Sequence, residues 1–212
     1  MGMEGINWEG ISQEASLISQ FANTFTKGLY DESRTFLDEL CKVWGSGNAI
    51  KFANEFSQRI QDEANMVIKY SDALVDKLMK AVQIYPSAFN VNVTITKSEG
   101  TLAELLDHNI KDKVNGITGM DKEHVRNLIN NYQSKVKDLC DDYEFDMNNI
   151  SVSLYDLAGV QKEYFTKIVR EEGKRIYSIV TVFTNTAKKL IEGEIDAMDA
   201  VKQSVLNAFN NY

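Results

Sequence analysis

The chain has 212 residues and one proline and is rich in Ala, Leu, Glu, Lys and Gln. It is long enough to bury roughly 70% of its unfolded surface and is biased towards helix. A net charge of -8 with no Lys/Arg stripe excludes the electrostatics of a nucleic-acid binder. No apolar run reaches membrane-spanning length, and Met1 to Glu9 has neither the basic flank nor the apolar stretch of a cleaved export signal, so none is expected.

Taken in order, apolar residues recur in steps of three and four from Ile11 through Ala15, Ile18, Ala22, Phe25 and Leu29 to Phe36 and Leu40, which predicts a long core-facing helix. Gly28 lies inside it and costs about 1 kcal/mol relative to alanine. Packing must outweigh that cost. Trp8, just ahead of the stripe, is expected to fold onto the first turn.

Val43-Trp44-Gly45-Ser46-Gly47-Asn48 then predicts a sharp helix reversal. Gly45 and Gly47 are expected to supply positive φ, Ser46 or Asn48 to cap the next helix, and Trp44 to mark the tip. The second stripe runs from Ala49 through Phe52, Phe56, Ile60, Ala64, Val67, Leu74 and Leu78 to Tyr85, and Pro86 is expected to end it. Val75, Met79 and Val82 widen its later turns, so this helix is expected to touch more than one neighbour.

Residues 87–120 change character. Phe89, Val91, Val93 and Ile95 alternate with Asn and Thr, the period of an extended segment, and Thr101 to Glu104 fits a capping box opening a short helix that fades near Gly116. A third stripe follows Asp121: Val125, Ile129, Tyr132, Val136, Leu139, Tyr143, Met147, Ile150 and Leu154, spaced like the seam of a left-handed bundle. Ala158-Gly159 breaks it and predicts a second bend. The fourth stripe is Phe165, Val169, Ile176, Ile179, Phe183, Ala187, Leu190, Ile195, Met198, Val201, Val205 and Phe209, with Gly173 and Gly193 as candidate interruptions. The β-branched run at its middle keeps helical spacing, which decides for helix.

These elements predict an all-α fold. A hairpin over 1–86 and a second over 121–212 pack as an elongated four-helix bundle, joined by a connector over 87–120 with an extended segment and a short helix. Sliding one half over the other so that Gly47 falls on Gly159 sets Phe52 on Tyr164 and Leu78 on Leu190. That match is compatible with duplication and equally with shared periodicity.

The residues do not point to catalysis. Cys41 and Cys140 sit in apolar stripes, where free cysteine behaves as a small hydrophobe. His108 and His124 have no partner at metal-ligand spacing. Asp141, Asp142, Glu144 and Asp146 diverge around a helix and lack the turn glycine of a calcium loop. Lys167, Arg170, Lys174 and Arg175 are interrupted by Glu171 and Glu172 and read as a solvated face. With no phosphate-cradling loop, nucleophile elbow or Glu-x-x-His motif, the expectation is a protein without enzyme activity, cofactor or metal.

Trp44-Gly45-Ser46-Gly47, with Trp8 ahead of the first helix and Phe52 and Phe56 after the turn, resembles the bend of the WXG proteins, the helical hairpins of the early-secreted-antigen type. The resemblance covers about residues 6–86. It implies a bacterial substrate or escort of type VII secretion, without enzyme activity. Such a chain would be secreted without a cleaved signal peptide, cytoplasmic before export, and partnered by secretion machinery or a larger effector through residues such as Trp8 and Trp44. The chain departs from the pattern in having Ser46 where the family has glycine, in lacking Tyr-x-x-x-Asp/Glu at all nine tyrosines, and in lacking tryptophan at the second bend. Family hairpins cover their apolar seams by dimerising. Here residues 121–212 are expected to cover the first hairpin from within the same chain, giving a monomer with an internal pseudo-dimer, while a homodimer stays open. The other readings are a cytosolic structural adaptor or a membrane-active helical toxin component, the latter disfavoured by net acidity.

Overall fold

The computed structural model describes residues 7–88 and 103–210. Among them are four long helices, α1 (Trp8–Leu40), α2 (Gly47–Ala88), α3 (Lys122–Leu157) and α4 (Lys162–Asn210), and a two-stranded ribbon, β1 (Trp44–Gly45) and β2 (Gly119–Met120). The fold is the all-α bundle that the four stripes predict. The alternating segment around Phe89 to Ile95 lies outside the described residues.

Helix α1 packs on α2 and α3, and α4 packs on α3 and, over a smaller area, on α2. Every neighbouring pair is antiparallel, with α2 and α3 on one diagonal. The two hairpins therefore meet along α1–α3 and α2–α4. Phe56 stands where all four helices converge, with Phe36 of α1 at 5.3 Å, Tyr132 of α3 at 5.5 Å and Phe183 of α4 at 5.5 Å between ring centroids. Polar contacts also cross between hairpins: Lys135 to Glu32 at 2.8 Å, and Asn48 Nδ2 donating to Glu194 Oε2 at 2.7 Å.

Three glycines explain how closely α3 is held. A Cβ on Gly10 would sit 2.9 Å from Leu157, one on Gly28 2.8 Å from Leu139, and one on Gly173 3.1 Å from Met147. The helix-weakening Gly28 thus makes room on α1 for Leu139 of α3, and Gly173 does not interrupt α4.

Four expectations need correction. Helix α2 runs through Pro86 to Ala88. A proline lacks an amide donor and its ring crowds the carbonyl four residues back, but its fixed φ suits a helix, so a last turn can continue past it. The short helix expected after Thr101 is absent over the described part, residues 103–118. These residues form an extended strap along α2: Ala103 exchanges hydrogen bonds with Asn65 and Gln61, His108 meets Asn54, and Val114 lies against Gly45. Distance dictates this. From Asn65 to Asn54 the helix climbs about 16 Å, which the five steps from Ala103 to His108 match only when extended at about 3.3 Å each. Leu106 and Ile110, two steps either side of His108, are buried on that face.

The fourth stripe is shifted. Val180 and Ile191 are buried, while Leu190 is exposed, as are Val201 and Val205 beyond the end of the core. The superposition of halves shifts with it. Tyr164 is exposed, and the buried partners of Phe52 and Leu78 are the next residues, Phe165 and Ile191. Helical periodicity lets two stripes fit at some offset whatever their origin, so burial rather than bend alignment sets the register.

Candidate functional site

Each sequence-predicted site residue lies at one end of the bundle. At one end Trp44, only 1% exposed, packs on Phe52 at 5.6 Å, and its backbone pairs with Met120. Asp121 N donates to Val43 O at 2.8 Å, clamping the start of α3 to the first bend. Ser46 caps α2, its Oγ accepting from Ala49 N at 3.0 Å. Neither Gly45 nor Gly47 takes positive φ; the described positive-φ glycines are Gly116, Gly119 and Gly159. Gly45 is needed for room instead. A Cβ there would lie 2.6 Å from Val114 N and 2.7 Å from the Lys113 carbonyl carbon, both backbone atoms of the strap. Gly47 has nothing within 4 Å of that position.

At the opposite end Ala158 is buried, and Gly159 turns the chain with φ +52°. The α1 N-terminus docks there: Asn7 N donates to Leu157 O at 2.9 Å, Asn7 Oδ1 caps Gly10 N at 3.0 Å, and half-buried Trp8 packs against the core. The structure thus separates the two tryptophans by the length of α1 and joins each to the other hairpin. Trp44 offers no side-chain surface to a partner; Trp8 offers part of one.

No protein-family model, curated protein or solved structure matches the chain.

The interior holds few reactive groups. Tyr132 shares a hydrogen bond with Ser33 at 2.9 Å, and Tyr143 one with Ser71 at 3.1 Å, tying α3 to both helices of the first hairpin. Burial pushes both phenols well above their ordinary range, so they serve as neutral cross-links. Burial also pushes the Cys140 thiol up to about 12, which leaves almost no nucleophilic thiolate at neutral pH. Among the described residues no three His, Cys, Asp or Glu converge on a point that could hold an ion. Within the acidic run, Asp141 is paired with Lys137 at 2.5 Å. His124 is exposed at the start of α3, where Asp121 caps its amide.

Glu63 is the buried carboxylate with most to lose. Its side chain is 1% exposed, and the contact that compensates it is the half-exposed Arg59 at 2.6 Å. Desolvation raises its pKa despite that neighbour. A carboxyl with a raised folded-state pKa stabilises most below its unfolded value and loses that contribution as pH rises through the folded one. Glu63→Gln, which resembles the protonated acid, is therefore expected to match the parent near pH 4.5 and to become progressively more stable than it towards pH 8. Thermal melts at a series of pH values measure the difference.

One surface escaped the sequence reading. Between α2 and α4, where contact is sparse, lies an open groove of about 320 Å³ with Phe52, Phe56, Phe183 and Ala187 at its base and Val182 and Leu190 on its rim. Its signal was the pair of adjacent apolar residues at 182–183 and again at 190–191. One of each pair faces the core and the other faces out.

Proposed function

We propose that the chain is a non-enzymatic interaction protein of the WXG helical-hairpin kind, handled by type VII secretion as a substrate or as the escort of a larger effector. The observation that supports this reading most is the tryptophan-bearing bend of α1 and α2, whose apolar seam is covered by a second hairpin of the same chain. A dimer of shorter hairpins would cover its seam in the same way. No helix of the described residues is long and apolar enough to cross a membrane.

The test is export. A tagged chain expressed in its source organism should appear in the culture supernatant, and inactivating the ATPase that drives type VII export should abolish this while leaving the intracellular level unchanged. Equal amounts outside the cell with and without that ATPase, or none outside under conditions where a known substrate is exported, would contradict the reading.

A further inference from the structure

Helix α4 carries a second apolar face that the bundle does not use. Val182, Thr186, Leu190, Gly193, Ala197 and Val201 follow one another in steps of four, four, three, four and four, all exposed, and the same spacing continues through Ser204 to Ala208. Such a face advances close to 3.67 residues per turn, the period of nearly straight or slightly right-handed helix pairs. None of these residues is charged, in a chain whose net charge is -8. The first half of the face forms one wall of the α2–α4 groove. Its second half projects past the core: every described side chain from Ala200 to Ala208 is exposed, and Val201 is 65% exposed.

Gly193 marks the middle. Gly10, Gly28 and Gly173 each make room for α3, and Gly47 stands at the first position of α2, but Gly193 is in mid-helix with nothing within 4 Å of the place its Cβ would occupy. A mid-helix glycine costs about 1 kcal/mol, and nothing in the monomer accounts for this one. A second helix crossing there would.

Charge identifies the occupant. Lys188, Lys189 and Glu192 precede Gly193, and Glu194, Asp196, Asp199 and Lys202 follow it; of the carboxylates, Glu192, Glu194 and Asp199 are held within the chain by Arg126, Asn48 and Lys122. In two antiparallel α4 helices crossing at Gly193, Lys189 of one copy falls beside Asp196 of the other, and Val182 falls opposite Ser204. In a parallel pair Lys189 would instead face the opposite flank of the other copy near Glu194, a carboxylate that Asn48 of its own chain already holds.

We propose that two copies of the chain associate through this face, α4 against α4 in antiparallel register, each projecting end lying along the other copy's α2–α4 groove. The contact is isologous and closes on itself. The facing stretch from Val182 to Ser204 is ~33 Å long on each helix and, widened by the α2 wall, approaches the order of ~800 Å² per partner typical of specific interfaces. The strap leaves this groove open, because it runs on the other flank of α2, where Ala103 and Glu104 lie beside Tyr30 and Arg34 of α1. This inference concerns self-association and stands or falls separately from the secretion reading.

Sedimentation velocity on the full chain, from low micromolar to sub-millimolar concentration, tests it. The parent is expected to pass from monomer to dimer. Leu190→Glu and Val201→Glu should each weaken the dimer at least tenfold with an unchanged melting temperature of the dilute monomer. Gly193→Leu should raise that melting temperature while weakening the dimer. Lys189→Glu should weaken association, and adding Asp196→Lys to it should restore it, which a parallel pair would not allow. A parent that stays monomeric throughout, a dimer indifferent to Leu190→Glu and Val201→Glu, or a charge swap that fails to restore association would each overturn the proposal.

Discussion

Trp44→Ala is expected to lower the free energy of unfolding by about 3–5 kcal/mol, as for other fully buried large aromatics, against a typical total of about 5–15 kcal/mol. The indole is nearly inaccessible, lies 5.6 Å from Phe52, and belongs to a row of rings continuing through Phe36 and Phe56 to Tyr132 and Phe183. Truncation opens a cavity where the first bend, the ribbon and the start of α3 meet. Trp8→Ala should cost far less, because that ring is only half-buried. Denaturant titration of both variants measures the contrast. Equal losses would mean that Trp44 is not the anchor of its end of the bundle.

Gly45→Val should cost about 3 kcal/mol, by overpacking rather than by strained φ. The first added carbon already overlaps backbone atoms of Lys113 and Val114, which cannot rotate aside as a side chain can. The strap must lift, and its turn, in which Val114 and Ile117 exchange two 2.9 Å backbone hydrogen bonds, should lose exchange protection first. Gly47→Ala, two residues on, has open space and a φ that alanine adopts, and should leave stability unchanged or raise it by up to about 1 kcal/mol. A glycine needed for φ at both positions would penalise both substitutions.

Repeating patterns made the architecture legible. Stripes at helical spacing located α1, α2 and α3 closely, and Ala158-Gly159 marked a bend at which Gly159 does adopt a left-handed conformation. What stayed hidden depends on partners distant in sequence. The role of Gly45 is set by Lys113 and Val114, and that of Gly28 by Leu139. The capping-box pattern after Thr101 favours a helix locally, but the strap has to travel back along α2 to bring α3 to the first bend, and only an extended chain reaches. On α4, apolar residues at adjacent positions made two faces indistinguishable. Which faces inward is decided by α3 and α2, so Ile179 and Leu190 read as core in place of Val180 and Ile191.

The central claim is that one chain assembles its own four-helix arrangement, the second hairpin sheltering the seam of the first. Native-state hydrogen exchange on the dilute full chain tests it most directly. Core amides of α1 and α2 around Leu29, Phe36 and Phe56 should open with the same free energy as those of α3 and α4 around Tyr132, Tyr143 and Phe183, and Phe183→Ala should lower both sets together. Exchange of the first hairpin that ignores Phe183→Ala, or protection of either hairpin that appears only at high protein concentration, would contradict it.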